Sequence, residues 1–172
     1  MTIKKILTEP DPFLRQKSYN VDKVDNEIRK LMDDMLDTMY AAPGIGLAAI
    51  QIGIPKRIIV IDLSKEEKKP LYFVNPKIIL KSKQNSTYEE GCLSVPGQFA
   101  EIDRPDKCHI SYLGYDGKKQ DLKAEGLLAT CIQHEMDHLE GILFIDYLSI
   151  LKKKFIAKKL SKQKKSLERI VV

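Results

Sequence analysis

The segment His134-Glu135-Met136-Asp137-His138 constrains the fold of this chain more than any other. Two imidazoles stand four residues apart, and a carboxylate directly follows the first. Residues i and i+4 share one face of an α-helix, so His134 and His138 can bind one metal ion. Glu135 then lies where it can move a proton of a nearby water molecule. Two of the three histidines belong to this HExxH pattern, which predicts the metal-binding helix of a hydrolase.

The surrounding residues have the apolar period of a buried helix that begins at Gly126 and ends near Gly141. Gly141 is a plausible helix stop. The apolar positions at helical spacing are Leu127, Leu128, Cys131, Ile132 and Leu139. The alternative is an ordinary core helix with hydrogen-bonded histidines, but the paired imidazoles and the adjacent carboxylate favour a metal.

A catalytic metal usually has three protein ligands and one open position, so a third ligand is required. Position 144, where one HExxH class has a histidine, is Phe144, and Glu168 lies in a Lys-rich tail. Cys131 shares a helix face with both histidines. However, residues 131 and 138 differ by about 10.5 Å of helix rise. A Cys and a His bound to one metal span roughly 9–10 Å. Cys131 is therefore interpreted as a packing residue.

Cys92 is the best remaining candidate for the third ligand. It lies in Glu90-Gly91-Cys92-Leu93-Ser94, where Gly91 permits a close backbone approach and Pro96-Gly97 predicts a turn. A metal-bound thiol is deprotonated, so Cys92 would supply charge as well as a soft donor. The alternative is a free cysteine buried in a loop.

A glycine-rich apolar segment, 43–53, carries one polar side chain, Gln51. It lacks the Lys-Ser/Thr ending of a phosphate-binding loop, and a helix pattern rather than a strand precedes it. Its small residues would let a substrate backbone lie against the protein backbone, and Gln51 could donate to an oxyanion. The alternative is a tight connection from helix to strand with Gln51 in solvent.

Together the three segments resemble the peptide deformylase family. The chain contains GIGLAAIQ at 44–51, EGCLS at 90–94 and HEMDH at 134–138, in the order and spacing of that family. The resemblance implies an enzyme that removes the formyl group from N-terminal formylmethionine of nascent polypeptides. It also implies that Glu135 is the general base and that Gln51 and the Leu93 N–H bind the oxyanion.

The resemblance extends to the substrate site. It implies that the backbone at Ile45 and Gly91 pairs with the peptide, and that the methionine side chain enters an apolar pocket. The implied substrate-binding residues are Ile45, Gly46, Tyr88, Gly91, Leu127, Thr130 and Cys131, with His134 also lining the pocket. Two residues depart from the family pattern: Phe99 replaces a common Arg, and Thr130 replaces a common apolar residue.

The ligand set Cys92, His134 and His138 suits zinc, iron, cobalt or nickel. The resemblance implies Fe(II) in the cell, with Zn(II), Ni(II) or Co(II) as alternatives in purified protein. Three cysteines and a metal-bound thiolate are typical of a reducing compartment. There is no apolar run of 18 residues and no evident signal peptide, so neither a transmembrane helix nor secretion is indicated. We expect a cytoplasmic protein that is a monomer and has no DNA or membrane partner.

The remaining patterns predict an α+β fold, with small antiparallel or mixed sheets packed around the central HExxH helix and a C-terminal helix. We expect residues 1–148 to form the catalytic part and 149–172 a basic amphipathic helix appended to the same domain. A helix is predicted at 28–39, a hairpin turn at 114–118, and strands at 57–63, 71–80, 98–103, 107–113 and 119–125.

The tail holds all of the positive excess of the chain. Residues 152–172 contain nine Lys or Arg and one Glu, whereas the rest has 20 basic and 23 acidic residues. An apolar stripe of Leu151, Phe155, Ile156 and Leu160 predicts a docked helix. The charge predicts contact with a polyanion, and the ribosome is the expected partner of a deformylase. The alternative is a solvated helix face.

Two other functions fit parts of the sequence. One is a zincin-like metallopeptidase acting on internal peptide bonds, which Phe144 argues against. The other is a non-enzymatic RNA- or ribosome-binding protein with a structural metal, which would normally have four protein ligands. Formate release from formyl-Met-Ala, with and without a chelator, distinguishes all three.

Overall fold

The structure is a computed structural model that describes residues 2–170 and has the expected α+β fold. Its helices are α1 (Asn26–Ala41), α2 (Gly126–Leu139) and α3 (Ile150–Ile170). Its strands are β1 (Gly46–Ala48), β2 (Ile58–Ile61), β3 (Leu71–Lys81), β4 (Asn85–Cys92), β5 (Val95–Pro105), β6 (Lys107–Leu113) and β7 (Lys119–Glu125). Short 3-10 helices cover Pro12–Arg15, Ala49–Ile52 and Phe144–Tyr147.

Two antiparallel sheets surround α2. One has five strands in the order β1-β2-β3-β6-β7, and the other is the β4-β5 hairpin. Helix α2 contacts strands of both sheets. Ten of its fourteen residues are buried, which is why its sequence is apolar on most sides. The HExxH helix is therefore central, as the sequence predicts.

The predicted helix boundaries follow from local capping. The Asp25 side chain accepts a hydrogen bond from the Ile28 N–H and begins α1. Gly141 has φ 73°, and a Cβ there would lie 2.3 Å from the Arg15 carbonyl oxygen, so the chain after α2 requires glycine. The three methionines at 32, 35 and 39 are fully buried in the core, as predicted.

The segment around Cys92 differs from the predicted loop. Cys92 is the last residue of β4, a strand that the sequence did not predict because its residues are mostly polar and half-exposed. The turn after it lies at Leu93 and Ser94 rather than at Pro96-Gly97. Gly97 has φ 74° but lies within β5, in a left-handed conformation that glycine adopts without strain.

The predicted apolar stripe of the tail is divided between two faces of α3. Ile156 and Leu160 are buried in a cluster with Val95, whereas Leu151 is 79 % and Phe155 is 59 % exposed. Residues 155 and 156 differ by about 100° around a helix, and the surface that α3 meets covers only the side of Ile156 and Leu160. The prediction of one docked stripe is therefore wrong for half of its members. Within residues 2–170, no helix is long and apolar enough to span a membrane.

Candidate metal centre and active site

Three side chains from β4 and α2 converge at one point. One ligand atom from each of Cys92, His134 and His138 lies within 4.8 Å of the other two. The Cys92 Sγ is 3.3 Å from His138 Nε2. One thiolate and two imidazoles are a donor set that binds Zn(II) or Fe(II) and leaves an open position. These residues therefore fit a catalytic metal ion.

A buried ion pair orients one of the imidazoles. His134 Nδ1 donates to Glu90 Oε2 at 2.8 Å, which leaves Nε2 of His134 for a metal. Arg104 donates to both oxygens of Glu90, at 2.5 Å and 3.1 Å, and also to Asp137. Burial opposes ionisation of Glu90, but the bonds with His134 and Arg104 outweigh it and lower the pKa of its carboxyl. Glu90 therefore stays an acceptor for His134.

The role of Arg104 could not be predicted from the sequence. Arg104 lies on β5, where it pairs with Ser86 of β4, and only the hairpin register brings it to Glu90. Glu90 itself had a signal, since it is the first residue of the EGCLS motif.

Burial and the neighbouring His134 lower the pKa of His138 well below its usual value, which favours the neutral imidazole that binds metals.

Glu135 lies beside the three candidate ligands without being one of them. Its carboxyl is buried, and Oε2 has no hydrogen-bond partner among the described residues. Burial, supported by the charge of Glu90, raises its pKa to about 7. The backbone of β1 approaches it so closely that a Cβ at Gly46 would lie 2.5 Å from Glu135 Oε1. The Gly-rich segment thus leaves room for this carboxyl.

Gln51 is buried and directed at the same point. Its Oε1 accepts from the Ala48 N–H at 2.9 Å, so its amide NH2 must face the other way. That NH2 lies 3.0 Å from Ser94 Oγ and 3.5 Å from Cys92 Sγ. Gln51 is only 1 % exposed, which excludes the alternative of a solvated side chain. Its N–H groups are donors placed at the metal centre.

A cavity of about 450 Å³ opens at the centre. Phe99 lies at its rim, 65 % exposed and against the Gly91 backbone. The cavity is lined by every substrate-binding residue that the resemblance implies, namely Ile45, Gly46, Tyr88, Gly91, Leu127, Thr130 and Cys131. It is also lined by Gln51, Leu93, Phe99, His134 and Glu135. The sequence motifs, which lie up to 90 residues apart, thus meet around one space.

Among the described residues, the other positions considered for a ligand do not belong to the group of three converging side chains. Phe144 is buried, with its ring centroid 6.2 Å from that of His134. Burial first, and then the charge of Glu135, raises the pKa of the Cys131 thiol to about 12, so this cysteine remains a neutral packing group. The side chain of Glu168 lies outside the described part of the chain.

A Cys-His-His donor set at the end of a cavity, with a free carboxyl and an amide donor beside it, defines a metal-dependent hydrolase. Comparison with known proteins gives the family. The sequence model of polypeptide deformylase matches residues 3–154. The peptide deformylase of Pelagibacter ubique is 69 % identical, with all of both chains covered. That of Maricaulis maris is 60 % identical, with 98 % of each covered.

Solved structures agree with the sequence comparison. The crystal structure of peptide deformylase from Ehrlichia chaffeensis superposes with a TM-score of 0.92 at 43 % identity, covering 96 % of this chain and 98 % of that one. The chain belongs to the peptide deformylase family, whose enzymes are metal-dependent and remove the N-formyl group from nascent peptides. The metallopeptidase and non-enzymatic alternatives are not favoured.

Proposed function

We propose that Cys92, His134 and His138 hold one divalent metal and that Glu135 performs the proton transfers in deformylation of formylmethionyl peptides. The observation that carries this proposal is the buried Glu135 carboxyl, one oxygen of which has no partner among the described residues and lies beside three converging side chains that could hold a metal. A divalent ion bound there would lower the pKa of a water molecule and polarise the formyl carbonyl.

Glu135 accepts a proton from the attacking water and later delivers it to the leaving nitrogen. The water oxygen adds to the formyl carbon, the carbon–nitrogen bond breaks, and formate and a free methionine amine result. The Gln51 amide and the Leu93 backbone N–H donate to the oxygen that becomes negative. Both residues line the cavity, and Leu93 directly follows the ligand Cys92.

The peptide would enter as an added strand between β1 and β4. Within the two described sheets, β1 pairs only with β2 and β4 pairs only with β5, so one edge of β1 and one edge of β4 are unpaired. Ile45 directly precedes β1, Gly91 lies within β4, and both line the cavity. The methionine side chain would then extend along Leu127, Thr130 and Cys131, with Ile45, Gly46 and Tyr88 completing the site.

The assay that tests this function measures the release of formate from formyl-Met-Ala. The purified enzyme should release formate, and a chelator should abolish this activity, with recovery after Fe(II) is added under anaerobic conditions. We propose Fe(II) as the ion in the cell, with Zn(II), Ni(II) or Co(II) able to replace it in purified protein. Metal analysis after anaerobic purification tests this choice. A protein that released no formate with any of these ions would contradict the proposed function.

We further propose a cytoplasmic monomer. The three cysteines are all free, and a Cys92 thiolate requires a reducing environment to remain a ligand. One chain supplies all three ligands and the lining of the cavity, so the site needs no second copy. Sedimentation at enzyme concentrations used in the assay tests the monomer.

Replacing Gln51 by Leu should lower kcat more than it raises KM. An oxyanion donor acts mainly in the transition state, and loss of one such donor costs about 10²–10³-fold in kcat. Steady-state kinetics on formyl-Met-Ala measure the effect. Gln16, an exposed amide outside the cavity, gives a matched control as Gln16→Leu. A change confined to KM would make Gln51 a ground-state binding residue instead.

We also propose that the basic tail, 149–172, is an element of the catalytic domain that docks the enzyme on the ribosome. Ile156 and Leu160 attach α3 to the body, while Leu151, Phe155 and the exposed lysines lie on its other faces; Lys153 instead pairs with Asp146. Ribosomal RNA is a polyanion that such a face would bind. Docking near the nascent-chain exit would raise the local concentration of substrate. Residues 171 and 172 lie outside the described residues.

Reversing three exposed lysines of α3, as Lys158→Glu, Lys162→Glu and Lys165→Glu together, should strongly reduce co-sedimentation with ribosomes at low salt. Each lost phosphate contact weakens binding and flattens its dependence on salt. Activity on short free peptides should remain near normal, because Ile156 and Leu160 are kept.

The matched control reverses three exposed lysines of the sheet region, Lys81, Lys83 and Lys123, so that the net charge changes equally. Truncation after Ser149 provides a second comparison, although it also removes the docked Ile156 and Leu160. If the α3 variant sedimented with ribosomes as fully as the wild type, the tail would be a solvated helix face.

A further inference from the structure

The active-site cavity contains one buried hydroxyl that the mechanism does not use. Thr130 lies on α2, lines the cavity and is 3 % exposed. Its Oγ1 is excluded from solvent and has no hydrogen-bond partner among the described residues. A helical threonine commonly bonds back to the carbonyl of the preceding turn, which for Thr130 belongs to Gly126, but no such bond is formed here. The hydroxyl is therefore unpaired, and rotation about χ1, which exchanges it with the methyl group between the two helical rotamers of threonine, would turn it toward the cavity.

The position of Thr130 along α2 matches the far part of a methionine side chain. Leu127, Thr130, Cys131 and His134 form one stripe facing the cavity. Thr130 lies four residues before His134, which is about 6 Å along the helix axis. In formylmethionine, five bonds separate the reacting carbon from the sulfur, a span of roughly 6 Å. With the formyl group beside His134 and Glu135, the sulfur position reaches the level of Thr130.

We propose that Thr130 is a specificity-determining residue whose hydroxyl donates to an acceptor at the sulfur position of the substrate. This inference rests on the proposed deformylation and names a further substrate class, peptides that begin with N-formylmethionine sulfoxide. A thioether is a weak acceptor, whereas a sulfoxide oxygen is a strong one. An all-apolar pocket would reject the sulfoxide because the polar group would be buried without a partner. Thr130 supplies that partner.

The test compares kcat/KM for formyl-Met-Ala-Ser, formyl-Met(O)-Ala-Ser and formyl-norleucyl-Ala-Ser. Norleucine has nearly the shape of methionine and no acceptor. Thr130→Val should lower the sulfoxide-to-norleucine ratio about three- to tenfold, the value of one hydrogen bond to a neutral group. The methionine-to-norleucine ratio should fall by about twofold or less. Valine keeps the shape of threonine and removes a buried unpaired hydroxyl, so the variant is expected to fold.

Four further variants make the comparison specific. Thr130→Ser keeps the hydroxyl and should keep the wild-type sulfoxide-to-norleucine ratio, whereas Thr130→Ala should lower that ratio. If the valine variant is inactive, the serine and alanine variants test the role of the hydroxyl in its place. Ser86→Ala removes another buried unpartnered hydroxyl, outside the cavity, and should leave the ratios unchanged. Tyr88→Phe tests the other hydroxyl in the cavity lining.

Equal sulfoxide-to-norleucine ratios in the wild type and in Thr130→Val would overturn the inference. A fall in that ratio in Tyr88→Phe alone would overturn it as well and would assign the sulfoxide to Tyr88. Failure of the proposed function is recognised separately, because the wild-type enzyme would then release no formate from formyl-Met-Ala-Ser.

Discussion

Cys92→Ala is expected to purify with little or no divalent metal and to release formate at background level. Cys92 supplies the only thiolate of the ligand set, and an alanine leaves two imidazoles, which hold a catalytic metal poorly. Metal content by mass spectrometry and formate release from formyl-Met-Ala measure the two effects. The folded state should persist, because Cys92 ends a strand and is not deeply buried.

Cys131→Ala provides the matched control for this prediction. Cys131 also lines the cavity and lies on the same helix as both histidines, yet it is not among the three converging ligands. This variant should keep full metal occupancy. Its substrate affinity can change, because the thiol packs in the proposed methionine pocket. Full occupancy in Cys92→Ala would contradict the ligand assignment, whatever its activity.

Glu135→Gln should retain the metal but lower kcat by about 10²–10⁴-fold, the usual contribution of general acid–base catalysis. Glu135 serves two proton transfers in the proposed mechanism, so the loss should lie toward the upper end of this range. Glutamine has the shape of glutamate, which matters because the Gly46 backbone lies against this carboxyl. Measurement of kcat together with metal content separates a catalytic loss from a loss of metal.

Glu89→Gln is the matched control for Glu135. Glu89 also borders the cavity, but its side chain is exposed and has no role in the proposed mechanism. Its replacement should change kcat little. Near-normal turnover in Glu135→Gln with full metal would reject Glu135 as the general base, and loss of the metal would show that the residue supports the ligands instead.

The contacts of Arg104 are of a kind that no sequence pattern predicts. Glu90 belongs to the EGCLS motif, but its bonds with Arg104 depend on the register of the β4-β5 hairpin. Strand β4 was itself missed, because Asn85–Cys92 is polar and alternates weakly. Its stability comes from pairing with β5, which is a long-range property and leaves little trace in local residue preference.

The sequence by itself determined the chemistry of the centre, because helical spacing fixes how His134, Glu135 and His138 face one another. It also predicted a basic helix at the end of the chain, which α3 (Ile150–Ile170) confirms, since charge and period are local properties. Only the tertiary structure decided that Ile156 and Leu160 dock while Leu151 and Phe155 stay exposed, because that depends on which surface α3 meets. It likewise decided that Cys92 comes within 3.3 Å of His138, since 46 residues separate them and only strand pairing and helix packing bring them together.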